Sequence, residues 1–120
     1  MDTRILLVDD DRLLREVIGE YLVLNGYHVD MAEDATHALT KFKPGSYGLA
    51  LIDVVLPGMN GLELMQELRA QDSELFCLIM TGYHTIDSAY KSMVEGASDY
   101  IIKPFQLSEL LSAVKRHLGP

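Results

Sequence analysis

Four short apolar runs, each followed at once by a polar residue, constrain this chain more than any other feature. Ile5 to Val8 leads into Asp9, Asp10 and Asp11, Leu49 to Ile52 into Asp53, Leu78 to Met80 into Thr81, and Tyr100 to Ile102 into Lys103. Runs of this kind, separated by amphipathic helical stretches, are what strands buried on both faces of a parallel sheet look like. Each of the polar residues is therefore expected at the carboxyl edge of a single sheet, where open α/β proteins keep their chemistry.

The stretches between the runs complete the pattern. Leu14, Val17, Ile18, Tyr21 and Leu22 follow helical spacing and predict a first helix closing at Asn25-Gly26. Tyr27 to Ala32 alternates apolar and polar residues, which predicts an edge strand. Ala35, Leu39 and Phe42 outline a second helix ended by Pro44-Gly45, and Leu62, Met65 and Leu68 a third. For the third helix Asn60 is the expected cap, with Glu63 reaching back in a capping box, so Pro57-Gly58-Met59 forms the loop leaving strand three. Ile86, Ala89, Tyr90 and Met93 predict a fourth helix ending at Gly96, and Leu107, Leu110, Leu111, Val114 and Leu118 a fifth. Strict alternation with short connections implies right-handed crossovers. The expected fold is α/β, a doubly wound (βα)5 with a parallel five-stranded sheet in the order 2-1-3-4-5, flavodoxin-like. The crevice then opens between strands one and three.

Composition narrows the function classes. The 120 residues fit one domain, 1–120, and 48% hydrophobic residues suffice for its core. A formal charge of −8 argues against direct contact with nucleic acid, which draws on clustered Lys and Arg, and leaves a protein or a cation as partner. The one cysteine, Cys77, lies inside an apolar run and reads as core packing in a reducing compartment. The opening residues are too acidic for a signal peptide and no apolar stretch approaches bilayer length, so no membrane contact and a cytoplasmic location are expected.

Three carboxylates facing one crevice repel one another: at roughly 5 Å and an effective dielectric of about 20, each pair costs on the order of 3 kcal/mol. A divalent metal offsets this, and an all-oxygen donor set suits Mg²⁺. His28, His37, His84 and His117 are scattered rather than spaced as ligands. The plainer role of the Asp run is that Asp10 or Asp11 caps the first helix. Capping does not account for Asp53, Thr81 and Lys103 at the same edge. Asp53 is placed to act as an aspartyl-phosphate nucleophile, Thr81 to donate to a phosphoryl oxygen, and Lys103 to pair with carboxylates at rest and phosphoryl oxygens afterward. Lys103-Pro104 is a candidate cis peptide bond.

The set Val8-Asp9-Asp10, Asp53 through Pro57-Gly58-Met59-Asn60-Gly61, Met80-Thr81-Gly82 and Asp99 through Lys103-Pro104-Phe105 resembles the response-regulator receiver domain of two-component signalling over the full chain. The resemblance implies that Asp53 accepts phosphate from a sensor histidine kinase or phosphotransfer protein. It implies that Asp10, Asp53 and the backbone carbonyl of Val55 hold Mg²⁺, with Asp9 acting through a metal-bound water. Thr81 and Lys103 would contact the phosphoryl group, and Tyr100 would report the switched state. Such a domain is a signalling phosphoacceptor that catalyses only its own phosphorylation and dephosphorylation. Switching is expected to remodel the face of the fourth helix, fifth strand and fifth helix, where a homodimer or an output partner would dock.

Val55 and Tyr83 depart from the more polar family sites and flank the path of an attacking water, so a slowly decaying phosphorylated state is expected. Two alternatives remain at this level: a haloacid-dehalogenase-type phosphatase, which would need a second acidic pair after the lysine and a cap insertion, and an unphosphorylated protein-binding scaffold. A flavin module is disfavoured because an acidic first loop repels phosphate. His117 to Pro120 falls where a linker to an output domain of unknown kind would begin.

Overall fold

The computed structural model describes residues 4–82 and 96–119. Strands β1 (Arg4–Val8), β2 (His28–Ala32), β3 (Leu49–Asp53), β4 (Phe76–Gly82) and β5 (Asp99–Lys103) form one parallel sheet in the order β2-β1-β3-β4-β5. Helices α1 (Arg12–Leu24), α2 (Ala35–Lys41), α3 (Gly61–Gln71) and α4 (Leu107–Leu118) accompany it. Here α4 is the fifth helix of the sequence reading. The expected fourth, on Ile86, Ala89, Tyr90 and Met93, lies outside the described residues, as do Tyr83 and His84. The fold is the doubly wound, flavodoxin-like arrangement.

Strand alternation divides the core in two, because successive side chains leave a strand on opposite faces. Leu6, Val8, Ala50, Ile52, Cys77 and Ile79 pack with Ala35, Ala38, Leu64, Met65 and Leu68 of α2 and α3. Ile5, Leu7, Leu49, Leu51, Leu78 and Met80 pack with Ile18 and Leu22 of α1 and Leu110 and Val114 of α4. At about 1.5–3 kcal/mol for each fully buried aliphatic side chain, this two-sided layer dominates the folding energy. Every residue of the central β3 is buried. Among the described residues no helix is long and apolar enough to cross a membrane.

Element ends follow the chemistry of the chain. Helix α1 stops at Asn25 and Gly26, the latter at φ 96°, a left-handed conformation that glycine adopts without a Cβ penalty. Two details differ from the expectation. Strand β4 continues two residues past its apolar run, because the ladder to β5 persists through Thr81 opposite Ile102 and Gly82 opposite Lys103. Thr81 thus lies within the strand rather than beyond it. The Asn60 side chain caps α3 by accepting from the Leu62 N–H at 2.7 Å rather than from Glu63, the short reach of an Asx turn. A reciprocal glutamate bond instead forms at α4, where the Gln106 N–H donates to Glu109 Oε1 at 3.1 Å.

Candidate phosphoacceptor and metal site

Register fixes which residues meet. Val8 lies opposite Ile52, so Asp9 and Asp53, each one residue on, leave neighbouring strands at the same level. Asp9 and Asp53 are both buried, at 0% and 8% exposure, which is exceptional for carboxylates and requires partners. Lys103, at the end of β5, supplies one to each: its Nζ is 2.9 Å from Asp53 Oδ2 and 3.1 Å from Asp9 Oδ2. The lysine reaches its partners across β4, since Lys103 lies opposite Gly82 while Asp53 lies opposite Met80. The Lys103–Pro104 peptide bond that follows is cis.

The remaining carboxylate oxygens are held by backbone. Asp53 Oδ1 accepts from the Val55 N–H at 3.0 Å, and Asp9 Oδ1 from the Asp11 N–H at 2.8 Å. Asp11 is the residue that caps α1, accepting from the Leu14 N–H at 3.2 Å, which leaves exposed Asp10 for the crevice. Asp9, Asp10 and Asp53 each offer a carboxylate oxygen within 4.8 Å of the others. Three carboxylates against one ammonium leave two negative charges at the edge of the sheet. At that separation each like pair repels by about 3.5 kcal/mol at an effective dielectric near 20. The donor set is all oxygen and its residual charge is that of one divalent cation, so these residues fit Mg²⁺.

Burial pushes the Asp53 carboxyl above its ordinary range, and the Lys103 and Val55 hydrogen bonds only partly oppose it. For Lys103 burial works downward, but hydrogen bonding and charge attraction from Asp53, joined by Asp9, outweigh it and hold the ammonium above its usual value. The two shifts describe a lysine locked in its charged form beside a carboxylate whose charge is costly. Thr81 is buried one residue beyond Met80, the β4 neighbour of Asp53. Val55 is 75% exposed at the mouth of the site. Tyr100 stands apart from the carboxylates, 39% exposed on edge strand β5, against a cavity of about 430 Å³ lined also by Ile102, Glu109 and Arg116.

Two contributors were given no role of their own from the sequence, although Gly61 closes one of its motifs. Arg15 donates from Nη1 to the main-chain carbonyl of Asp9 at 2.7 Å. Its signal is position, in the first turn of α1 on a helix that begins directly after the acidic loop. Gly61 lets α3 start against β3: a Cβ there would stand 2.1 Å from the Asp53 carbonyl oxygen. The glycine closing the Asp53-to-Gly61 loop carried that signal, since a loop returning to its own strand needs close backbone approach.

Comparison with known proteins converges on one family. The model of the response regulator receiver domain matches residues 5–115. The chain is 38% identical over 117 residues to the response regulator protein FleR of Pseudomonas aeruginosa, covering 98% of this chain and 25% of that protein. It is 36% identical over 115 residues to the response regulator MprA of a Mycobacterium species, covering 96% and 50%. The chain thus spans between a quarter and a half of these relatives. Among solved structures, the receiver domain of NtrX from Brucella abortus superposes with a TM-score of 0.89 at 32% identity, covering 95% of this chain and 97% of that one. A CheY-like receiver domain protein from Methanospirillum hungatei gives 0.90 at 33% identity, covering 98% and 94%.

Proposed function

Since the chain belongs to the response regulator receiver domain family of two-component signalling, we propose that it is a single receiver domain, residues 1–120, whose phosphoacceptor is Asp53. The observation that carries this reading is the convergence of Lys103, Asp9 and Asp10 on the buried Asp53 at the carboxyl edge of the sheet. Asp10, Asp53 and the Val55 carbonyl would hold Mg²⁺, and Asp9 would assist through a water. When bound, the cation neutralises charge on the transferring phosphoryl oxygens.

The chain's own residues do the rest. A carboxylate oxygen of Asp53 attacks phosphorus while the bond to the donor's imidazole nitrogen breaks and the histidine departs with the electron pair. Lys103, fixed in its charged form, holds Asp53 in line and then takes a phosphoryl oxygen. The Thr81 hydroxyl donates to the new oxygens, and Tyr100 responds by changing its place on β5. That response remodels the surface of β5 and α4, which serves as the docking face for a second copy or an output partner. The donor is a sensor histidine kinase or phosphotransfer protein in the cytoplasm, and the domain itself contacts neither nucleic acid nor membrane.

The test is incubation with Mg²⁺ and a small phosphodonor. A stoichiometric, hydroxylamine-labile mass gain that Asp53→Asn abolishes is expected. Multiple turnover of the donor without a labelled protein would replace this reading with a phosphatase. No labelling at all would leave a binding scaffold.

A further inference from the structure

We propose that Arg15 is the positioning residue of the acidic loop, its guanidinium holding the Asp9 carbonyl so that Asp10 presents its carboxylate to a divalent cation. The inference rests on the cation-site reading given above and assigns a role to a residue outside the ligand set.

The loop has three residues, Asp9 to Asp11, between the end of β1 and the start of α1. Sheet bonding ends on it: the Asp9 N–H donates to the Ala32 carbonyl at 3.2 Å, the last rung toward β2. From there side chains hold the backbone. Asp11 is fixed on both sides, its N–H to Asp9 Oδ1 and its Oδ1 to the Leu14 N–H. The Asp9 carbonyl is fixed by Arg15 at 2.7 Å, a charge-assisted bond of the stronger class. Asp10 is thereby oriented by the residues before and after it. Orienting a ligand in advance lowers the entropy lost on binding a cation, and loss of such an outer partner commonly weakens metal affinity by about 10-fold or more.

Charge alone predicts the opposite sign. Arg15 is a cation near a cation site, so removing it should tighten binding if its field were what mattered. The cavity of about 290 Å³ beside Arg15 is lined also by Glu16, Glu33, His37 and Lys41, a surround of mixed sign. Positioning and repulsion therefore separate by the direction of the change.

Mg²⁺ titrations followed by the amide resonances of Asp10, Asp53 and Val55 test this in the 120-residue chain. Arg15→Met is expected to raise the Mg²⁺ dissociation constant about 10-fold. Arg12→Met, which removes an equal charge that among the described residues pairs with Glu16, should leave it within about twofold. Arg15→Lys, which keeps the charge but not the planar fork, should fall between parent and Arg15→Met. Amide exchange at Asp10 and Asp11 in metal-free Arg15→Met should accelerate. Unchanged or tighter Mg²⁺ binding in both Arg15 variants overturns the proposal. A parent with no saturable Mg²⁺ response removes the cation-site reading itself, an outcome distinct from a responsive parent with unaffected variants.

Discussion

Lys103 Nζ lies between Asp53 and Asp9, 2.9 Å from one carboxylate and 3.1 Å from the other. One ammonium thus serves two buried acids, and in the metal-free protein it does not compensate all the charge gathered there. Burial raises the Asp53 carboxyl, so its ionised form weakens the fold at neutral pH. An acid raised in the folded state destabilises above its folded value and ceases to do so once protonated below its unfolded one. Asp53→Asn should therefore stabilise the Mg²⁺-free protein at pH 7 by about 1 kcal/mol, with Asp9 still pairing Lys103. The gain should vanish in acid. Urea midpoints of parent and variant across pH measure it, and a destabilised variant at neutral pH would contradict the sign.

The approach of α3 to β3 tolerates no side chain at its first residue. Gly61→Ala would place a Cβ 2.1 Å from the Asp53 carbonyl oxygen, and backbone on both sides must move. Overpacking of this kind costs about 1–3 kcal/mol, and here the displacement falls on the site itself. The variant should show a lower denaturation midpoint together with loss of Asp53 labelling.

Asp99 ties the start of β5 to the end of α4, accepting from Arg116 Nη2 at 2.8 Å and lying 3.4 Å from His117 Nε2. Burial works upward on its carboxyl, but the Arg116, Tyr100 and His117 hydrogen bonds outweigh it and hold it below the ordinary range. A depressed acid contributes stability above its unfolded value and loses it as pH falls through the folded one. Arg116 is well exposed, so solvent screening limits the effect. Asp99→Asn should cost about 0.5–1 kcal/mol at pH 7, and the gap from the parent should close in acid, once pH falls through the depressed folded value. A gap independent of pH would show that the carboxylate charge contributes nothing.

The architecture was legible because it follows from period. Apolar runs marked the buried strands, the alternation in Tyr27 to Ala32 marked edge strand β2, and Asn25-Gly26 marked the end of α1. Residue type and position at strand ends identified Asp9, Asp53 and Lys103, which the fold brings together. What the residues alone did not disclose depends on backbone bonds made after folding. Choosing between Asp10 and Asp11 as the α1 cap required the loop conformation, and extending β4 to Gly82 required its ladder with β5. Arg15 is an ordinary helix-surface arginine by spacing, and only the direction of the Asp9 carbonyl gives it a partner.

The lifetime of the phosphorylated state should be set at the mouth of the site. Val55 is 75% exposed two residues after Asp53, and its N–H is already committed to Asp53 Oδ1. Its isopropyl group offers neither donor nor acceptor to a water approaching the phosphoryl group. An amide in its place would orient that water, and a hydrogen bond worth about 1 kcal/mol in the transition state corresponds to roughly a fivefold rate increase. Val55→Asn should therefore shorten the half-life of the labelled protein about fivefold while leaving the stability of the unlabelled fold within ±0.5 kcal/mol or so, as expected for an exposed position. Loss of label followed by intact-mass spectrometry in excess Mg²⁺ measures the first, and urea unfolding the second. An unchanged half-life would mean that water reaches phosphorus along a path Val55 does not line, or that an intrinsic chemical step on Asp53 rather than water orientation limits the rate. A longer one would mean that the amide engages the phosphoryl oxygens instead, shielding the group that it was introduced to expose.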